Sequence, residues 1–298
     1  MRKLLIPVLL SAFVGTIGAY DVELDGIYYT IRGKSASVTH CGGFAMPEPN
    51  SYSGNVVVPE RFSYNGRTYV VGAIGEDAFA CCDELISVQL PSTVTAISSC
   101  AFLGCPKLQQ VTLPSNYLAL SSCGFTGCTS LQQVFLPRKA ELVDSLALYC
   151  CASLNSLILP HRIRTICGGA LQHLSAISDL YCYASEPPTA EKGSFTLADQ
   201  QHCTLHVPKE TLHLYQEAPI WREFYEIVPL NDAEYLEQGY RRGDINDDGK
   251  VDDEDLALLR LIIVSLPDDS AVRWAADINE DGKINATDYV LFAKRLAQ

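Results

Sequence analysis

A period of 23 residues runs through the first 230 residues of this chain and limits what it can fold into. Phe79, Phe102, Phe125 and Leu148 stand one period apart, and so do Cys82, Cys105, Cys128 and Cys151. Leu85, Leu108, Leu131 and Leu154 keep the same step, followed by Val88, Val111, Val134 and Leu157, and by Pro91, Pro114, Pro137 and Pro160. Ile74, Ile97, Leu120, Val143 and Ile166 form a further column, and an eroded turn continues through Leu171, Leu174, Ile177 and Leu180. One turn cannot bury its own apolar face. Turns must therefore stack, each column becoming a ladder inside a continuous core. The end of a unit, Ser87-Val88-Gln89-Leu90-Pro91, alternates as a short strand does, with Val88 and Leu90 inward and Ser87 and Gln89 outward. Pro91 ends it because proline has no N–H to donate. The Ala78-Phe79 stretch reads as helical or irregular structure on the other side of the coil. The predicted class is an α/β-type solenoid with short parallel strands and a mixed helical or irregular convex side.

The unit Ile97-Ser98-Ser99-Cys100-Ala101-Phe102-Leu103-Gly104-Cys105-Pro106-Lys107-Leu108, followed by Val111-Thr112-Leu113-Pro114, resembles the bacterial BspA-like leucine-rich repeats. The resemblance spans roughly 55–230. It implies a surface-exposed or secreted protein whose curved sheet binds other macromolecules. Val56-Val57-Val58-Pro59 with Tyr64-Asn65-Gly66 resembles the family's N-terminal turn, Leu205-His206-Val207-Pro208 a last strand, and Trp221, Phe224 and Ile227 a closing cap. Leu148 departs from the Phe column, and the turn after Pro160 lacks the cysteine and the proline, so a change of geometry is expected over 161–200. The in-register cysteines read as small buried residues. Cross-turn disulfides such as Cys100–Cys123 stay open, because stacked turns lie about 4.8 Å apart. Zinc is disfavoured, since no Cys-x-x-Cys spacing exists. The candidate partner face is the outward ladder Gln89, Thr112, Phe135 and Ile158, beside Ser87, Gln110, Gln133 and Ser156. Phe135 and Ile158 are apolar where solvent-facing positions are more often polar, although strand surfaces also carry such residues.

A second signal is a duplicated twelve-residue loop, starting at Asp244 and again at Asp277, 33 residues later. Oxygen-bearing side chains occupy positions 1, 3, 5, 9 and 12, a backbone carbonyl serves at position 7, and glycine at position 6 permits the sharp turn. The apolar residue at position 8, Val251 or Ile284, lets the two loops pair. Such a loop could be an acidic turn without metal, but two copies, each running into an apolar helix, point to calcium, which accepts a flexible cage of hard oxygens. Residues 243–298 resemble a type I dockerin through Gly243-Asp244, Asp at position 12, and no full helix entering either loop. By position, the resemblance implies one ion held by Asp244, Asn246, Asp248, Lys250 (backbone), Asp252 and Asp255. A second would be held by Asp277, Asn279, Asp281, Lys283 (backbone), Asn285 and Asp288. It also implies a cohesin-like partner, contacted at loop positions 10 and 11, here Asp253-Glu254 and Ala286-Thr287. The two halves differ there, which weighs against symmetric two-way binding.

Net charge is −13, and residues 243–298 carry −7 of it (13 Asp/Glu against 6 Lys/Arg), which excludes nucleic acid as a partner class. Arg2-Lys3, the apolar run Leu4 to Val14 and Ile17-Gly18-Ala19 read as a secretory signal over 1–19, too short to span a bilayer, and no other stretch is long enough to do so. The expected organisation is then an N-terminal β-rich cap (20–70), the solenoid with its C-terminal cap (71–230), a linker (231–242) and the dockerin-like module (243–298). No Gly-x-Ser-x-Gly, phosphate loop or His-Glu-x-x-His is present. His202, Cys203 and His206 could be read as a metal cluster, but alternation puts the histidines on the opposite strand face from Cys203. The expectation is a secreted or cell-surface, non-enzymatic binding protein, with a protein or glycan ligand on the solenoid. The alternative is a carbohydrate-binding or carbohydrate-acting component of a polysaccharide-degrading complex.

Overall fold

The computed structural model describes residues 20–42, 51–114, 117–231, 242–245, 250–264, 270–279 and 282–297. The expected leader, residues 232–241 of the expected linker, and the candidate ligands Asn246, Asp248 and Asp281 lie outside these residues.

The described chain opens on a small capping sheet. β1 (Val22–Leu24) and β2 (Ile27–Arg32) pair antiparallel across Asp25-Gly26, both at positive φ (51° and 77°), the hairpin geometry that Asp-Gly favours. β3 (Ser35–Thr39) pairs antiparallel with β2. After β4 (Gly54–Val57), the strands β5 (Arg61–Tyr64) and β6 (Arg67–Ile74) form a second hairpin on Asn65-Gly66, and β6 lies parallel to β3. These strands pack on the first turn of the solenoid, with Val38, Tyr52 and Val71 in its core.

The chain then winds between two walls. One turn contributes β7 (Leu85–Gln89) and β8 (Ala96–Ile97), and later turns contribute β9 (Gln110–Thr112) with β10 (Ala119–Leu120) and β11 (Gln133–Val134) with β12 (Leu142–Val143). β13 (Ser156–Leu159) with β14 (Thr165–Ile166) and β15 (Asp179–Cys182) with β16 (Thr189–Ala190) follow, then β17 (Thr204–Val207) and β18 (Glu226–Pro229). On the first wall β4, β7, β9 and β11 pair in parallel, as do β13, β15, β17 and β18, and a Phe135–Ile158 bridge joins the two runs. The second wall holds β10, β12, β14 and β16, also parallel. Four of the turns that leave the first wall share one geometry: Val94, Tyr117, Ala140 and Ile163 each donate an N–H to the carbonyl of Pro91, Pro114, Pro137 or Pro160 at 2.9–3.1 Å.

The expected departure over 161–200 is absorbed in loop length without loss of a rung. Leu157 faces Leu180 after 23 residues, Leu180 faces Leu205 after 25, and Leu205 faces Ile227 after 22. This corrects one expectation. The strand at Leu205 is not the last, because β18 adds another rung and takes Ile227 out of the cap. A second expectation is resolved: the convex side of the five 23-residue turns consists of tight turns, and the described helices come later, at α1 (Leu197–Gln200) and α2 (Leu212–Glu217). Two residues of each convex turn adopt the left-handed conformation, in the columns Asp77, Cys100, Cys123, Leu146, Gly169 and Cys81, Gly104, Gly127, Cys150, His173.

The core is a set of ladders. Phe79, Phe102 and Phe125 stack with ring centroids 5.0 Å apart and planes within 2°, and Tyr52 of the cap packs on Phe79. Cys82, Cys105, Cys128 and Cys151 are fully buried, and the thiols of the last three donate to the carbonyls of Phe79, Phe102 and Phe125 at 3.0–3.1 Å. They are small buried residues as expected, and the last three thiols also satisfy a carbonyl of the preceding turn. The far end is closed by Phe195, Tyr215, Trp221 and Phe224, with Trp221 Nε1 donating to the Pro188 carbonyl at 2.9 Å. The C-terminal region has its own apolar cluster of Ile245, Leu259, Ala275, Ala276, Ile278 and Phe292. These residues come from α3 (Asp253–Ile262), α4 (Ser270–Ala276), α5 (Ala286–Leu296) and the loop segments before α3 and α5.

Candidate functional site

In the C-terminal region, loop and helix are one construction. Asp252, at loop position 9, is the N-cap of α3 and accepts the Glu254 N–H at 3.0 Å. Asp255, at position 12, closes the capping box by accepting the Asp252 N–H at 3.0 Å, and its other oxygen accepts the Ile245 N–H at 2.8 Å. The second loop repeats this. Asn285 caps α5 through the Thr287 N–H, and Asp288 accepts the N–H groups of Asn285, Ile278 and Asn279 at 2.9–3.3 Å. Position 12 thus ties the start of each loop to the helix that leaves it.

Asp244, Asp255, Asp277 and Asp288 are all at most 9% exposed. Burying four carboxylates in two short loops is costly unless a cation or strong donors compensate. A set of hard oxygens on a backbone turned by glycine fits calcium, and Gly282, at position 6, has φ 77° and donates its N–H to Asp277 at 2.8 Å. Among the described residues no three Asp, Glu, His or Cys side chains form a ligand cluster, and three of the twelve expected ligands lie outside them. Val251 and Ile284 both pack on the apolar cluster. Two features went unforeseen. The seven-residue α4 leads directly into the second loop, and Arg242 secures it, donating from Nη1 to the carbonyls of Trp274 and Asp277 at 2.9 and 2.7 Å while stacking on the Trp274 ring. An Arg immediately before Gly243 was the available signal.

Asp253, Glu254, Ala286 and Thr287 are exposed at the first turns of α3 and α5. Along α3 the exposed residues continue as Ala257, Arg260 and Leu261, with Val264 just past its end; Leu261 is 69% and Val264 88% exposed. The corresponding stripe on α5 is Val290, Leu291, Lys294 and Arg295.

The candidate partner residues of the solenoid lie along its first wall. Gln89 pairs with Thr112, Phe135 bridges to Ile158, Gln110 faces both Ser87 and Gln133, and Phe135 is half exposed. Ile158 is less open, because it packs with Tyr181 against Tyr183 and Leu230. The ladder runs further than expected: Tyr181 pairs with Ile158, and His206 with Tyr181. The Tyr181 and His206 rings stack at 4.3 Å, and His206 Nε2 lies 3.0 Å from Asp179 Oδ1. Burial opposes ionisation of Asp179, but hydrogen bonds from Ser178 and His206 outweigh it and hold the carboxyl below its ordinary value. Cys203, Leu205 and Val207 are buried on the opposite strand face, which separates Cys203 from the histidines.

Residues 71–185 match the family model of the BspA type leucine rich repeat region, in six copies, and residues 242–297 match that of the dockerin type I domain. Both are non-catalytic interaction modules, and dockerin type I domains bind calcium. Among solved structures, a leucine-rich repeat protein from Bacteroides ovatus is 17% identical over 71% of this chain and 77% of its own, with a TM-score of 0.46. A leucine rich cell surface protein from Faecalibacterium prausnitzii is 18% identical over 72% of this chain and 51% of its own, with a TM-score of 0.46. The T. pallidum leucine-rich repeat protein is 21% identical over 70% and 83%, also at 0.46. No curated protein matches the chain. No helix among the described residues is long and apolar enough to cross a membrane.

Proposed function

We propose that this chain, a BspA-type leucine-rich-repeat protein with a C-terminal type I dockerin domain, is an exported interaction protein that the dockerin attaches to a cohesin-bearing partner while the solenoid sheet holds a macromolecular ligand. The observation that carries this reading is the joining of two interaction modules in one chain. Two calcium ions are assigned to the loops. Asp244, Asn246, Asp248, the Lys250 carbonyl, Asp252 and Asp255 hold the first. Asp277, Asn279, Asp281, the Lys283 carbonyl, Asn285 and Asp288 hold the second. Support comes from the buried carboxylates and from the capping boxes that repeat in both halves.

The cohesin contact is assigned to α3. Its exposed stripe is acidic at the start (Asp253, Glu254) and apolar at the end (Leu261, Val264), whereas α5 ends on Lys294 and Arg295. Two surfaces this different do not serve one partner interchangeably. On the solenoid, Gln89, Thr112, Phe135 and Ile158 are assigned to ligand contact.

The test is capture from the producing cells with the full chain as bait, first in calcium and then in chelator. A cohesin-bearing partner retained in calcium and released by chelation is the expected result. Retention that ignores chelation, or no such partner at all, removes the assembly role. Ligands that survive chelation report on the solenoid. A folded Phe135→Ala/Ile158→Ala variant is expected to lose them, and full retention would remove that face from the reading.

A further inference from the structure

The chain has twelve cysteines, all present as free thiols, and the repeat columns place nine of them in two classes, leaving Cys41, Cys182 and Cys203 outside both. Cys82, Cys105, Cys128 and Cys151 form the inner column, closed to solvent. Burial pushes the Cys82 and Cys151 thiols up to about 12, so they are inert as nucleophiles. The outer cysteines of the repeats are Cys81, Cys100, Cys123, Cys150 and Cys167, all at least partly exposed. Cys81 has Gly104 beside it, Cys150 donates its N–H to Gln172 in a column that continues from Gly127 to His173, and Cys167 lies near Asp144 and Glu191. Among these outer residues, Cys100 and Cys123 alone are neighbours in one column.

Their backbones are near copies. Both are left-handed, with φ 58° and 53°. Cys100 donates its N–H to the Ser122 carbonyl at 3.0 Å, and Cys123 donates its own to the Ser145 carbonyl at 2.9 Å. Two residues held alike on consecutive turns project their side chains in parallel, which sets the two thiols side by side. Stacked rungs lie about 4.8 Å apart, inside the Cα–Cα range that a disulfide spans.

We propose that Cys100 and Cys123 form a thiol–disulfide exchange site, which a small-molecule disulfide such as oxidised glutathione converts into a covalent rung between consecutive turns. One thiol of the pair loses its proton, and the thiolate attacks a sulfur of glutathione disulfide. That S–S bond breaks, a mixed disulfide forms, and one glutathione leaves and takes up the proton. The second cysteine, as thiolate, attacks the mixed disulfide at the protein sulfur, forming the Cys100–Cys123 bond and expelling the second glutathione, which takes the second proton. Two protein thiols are oxidised and one glutathione disulfide is reduced. Burial, and then the charge of Cys123, raise the Cys100 thiol to about 11, so its thiolate is scarce at neutral pH and the exchange accelerates as pH rises.

The experiment treats the folded full chain with oxidised glutathione in mildly alkaline buffer, blocks the remaining thiols by alkylation, and maps peptides by mass spectrometry. The expected product is one cross-linked peptide pair joining Cys100 to Cys123, lighter by two hydrogens than the two thiol peptides together, and reversed by dithiothreitol. The Cys123→Ser chain, checked for an unchanged circular dichroism spectrum, is expected to stop at a Cys100–glutathione mixed disulfide. Recovery of both thiols as alkylated in the parent chain overturns the proposal. So does a cross-link joining any other pair, or mixed disulfides persisting at both positions.

Discussion

Ser194 occupies a column otherwise filled by Ala78, Ala101, Gly124, Ala147 and Ala170, where the convex turn passes closest to the core. Its side chain is fully buried and its hydroxyl finds no hydrogen-bond partner. A buried polar group left unpaired costs about 1–3 kcal/mol. Ser194→Ala is therefore expected to stabilise the solenoid by about 1 kcal/mol, measured as a higher urea midpoint at unchanged slope, and a lower midpoint would contradict this account. Asp288 makes the opposite case, since both its oxygens are used by backbone N–H groups of the loop it closes. An amide there keeps the shape but replaces one acceptor with a donor facing donors. The two-ion reading predicts that Asp288→Asn leaves a single strong calcium-binding event in a calorimetric titration, with the first loop intact. Two undiminished events would dissociate Asp288 from the metal. Gly243 is constrained just as tightly, because its φ is 99° and an added Cβ would meet Val251 at 2.8 Å.

At the scale of strands and helices, the rungs were legible because each is specified several times over. Leu85, Val88 and Leu90 of one turn are backed by their counterparts 23 residues on, so inward and outward positions follow from alternation. The later rungs were harder to read. β18 carries Ile227 at a step of 22 and β17 carries Leu205 at a step of 25, and period counting does not follow a changing loop length. The stacked pair Tyr181–His206 was missed for the same reason, although Tyr181 stands 23 residues after Ile158. Thiol-to-carbonyl bonds such as Cys105 to Phe79 depend on rotamers and leave no trace in composition. The dockerin module was legible from its duplicated twelve-residue loops. The capping boxes at Asp252/Asp255 and Asn285/Asp288 were hidden because the same residues already had a reading as ligands. The unequal exposed stripes on α3 and α5 underlie the proposed docking through α3. Leu261→Glu, at a side chain 69% exposed, is expected to leave folding intact and weaken capture by the cohesin-bearing partner tenfold or more, roughly the loss of one hot-spot contact. Lys294→Glu, at the matching place on α5, is expected to change it little. Equal losses in the two variants, read by surface plasmon resonance, would mean that both helices engage.

For the molecule as a whole, stability divides along the stack. Each turn bonds only to its neighbours, so the solenoid behaves as a chain of near-equivalent interfaces between two lids. The lids differ in kind: antiparallel hairpins and Tyr52 at one end, and Phe195, Tyr215, Trp221 and Phe224 at the other. Loss of the chain from Tyr215 through β18 exposes the edge of β17 and the apolar end of the stack together, a combination that favours aggregation. The flat Phe79–Phe102–Phe125 stack has a further consequence, because consecutive turns with parallel rings present nearly identical faces to what lies before and after them. Excision of residues 98–120, one whole period, should therefore rejoin Ile97 to Ser121 with every ladder in register. The expected product is a shorter folded chain with a cooperative melt, and a molten product would contradict this. Each turn is then a unit of inheritance as well as of structure. Unequal crossing-over within the gene can add or remove whole turns without damage, and the length of the ligand-facing sheet is open to selection one turn at a time.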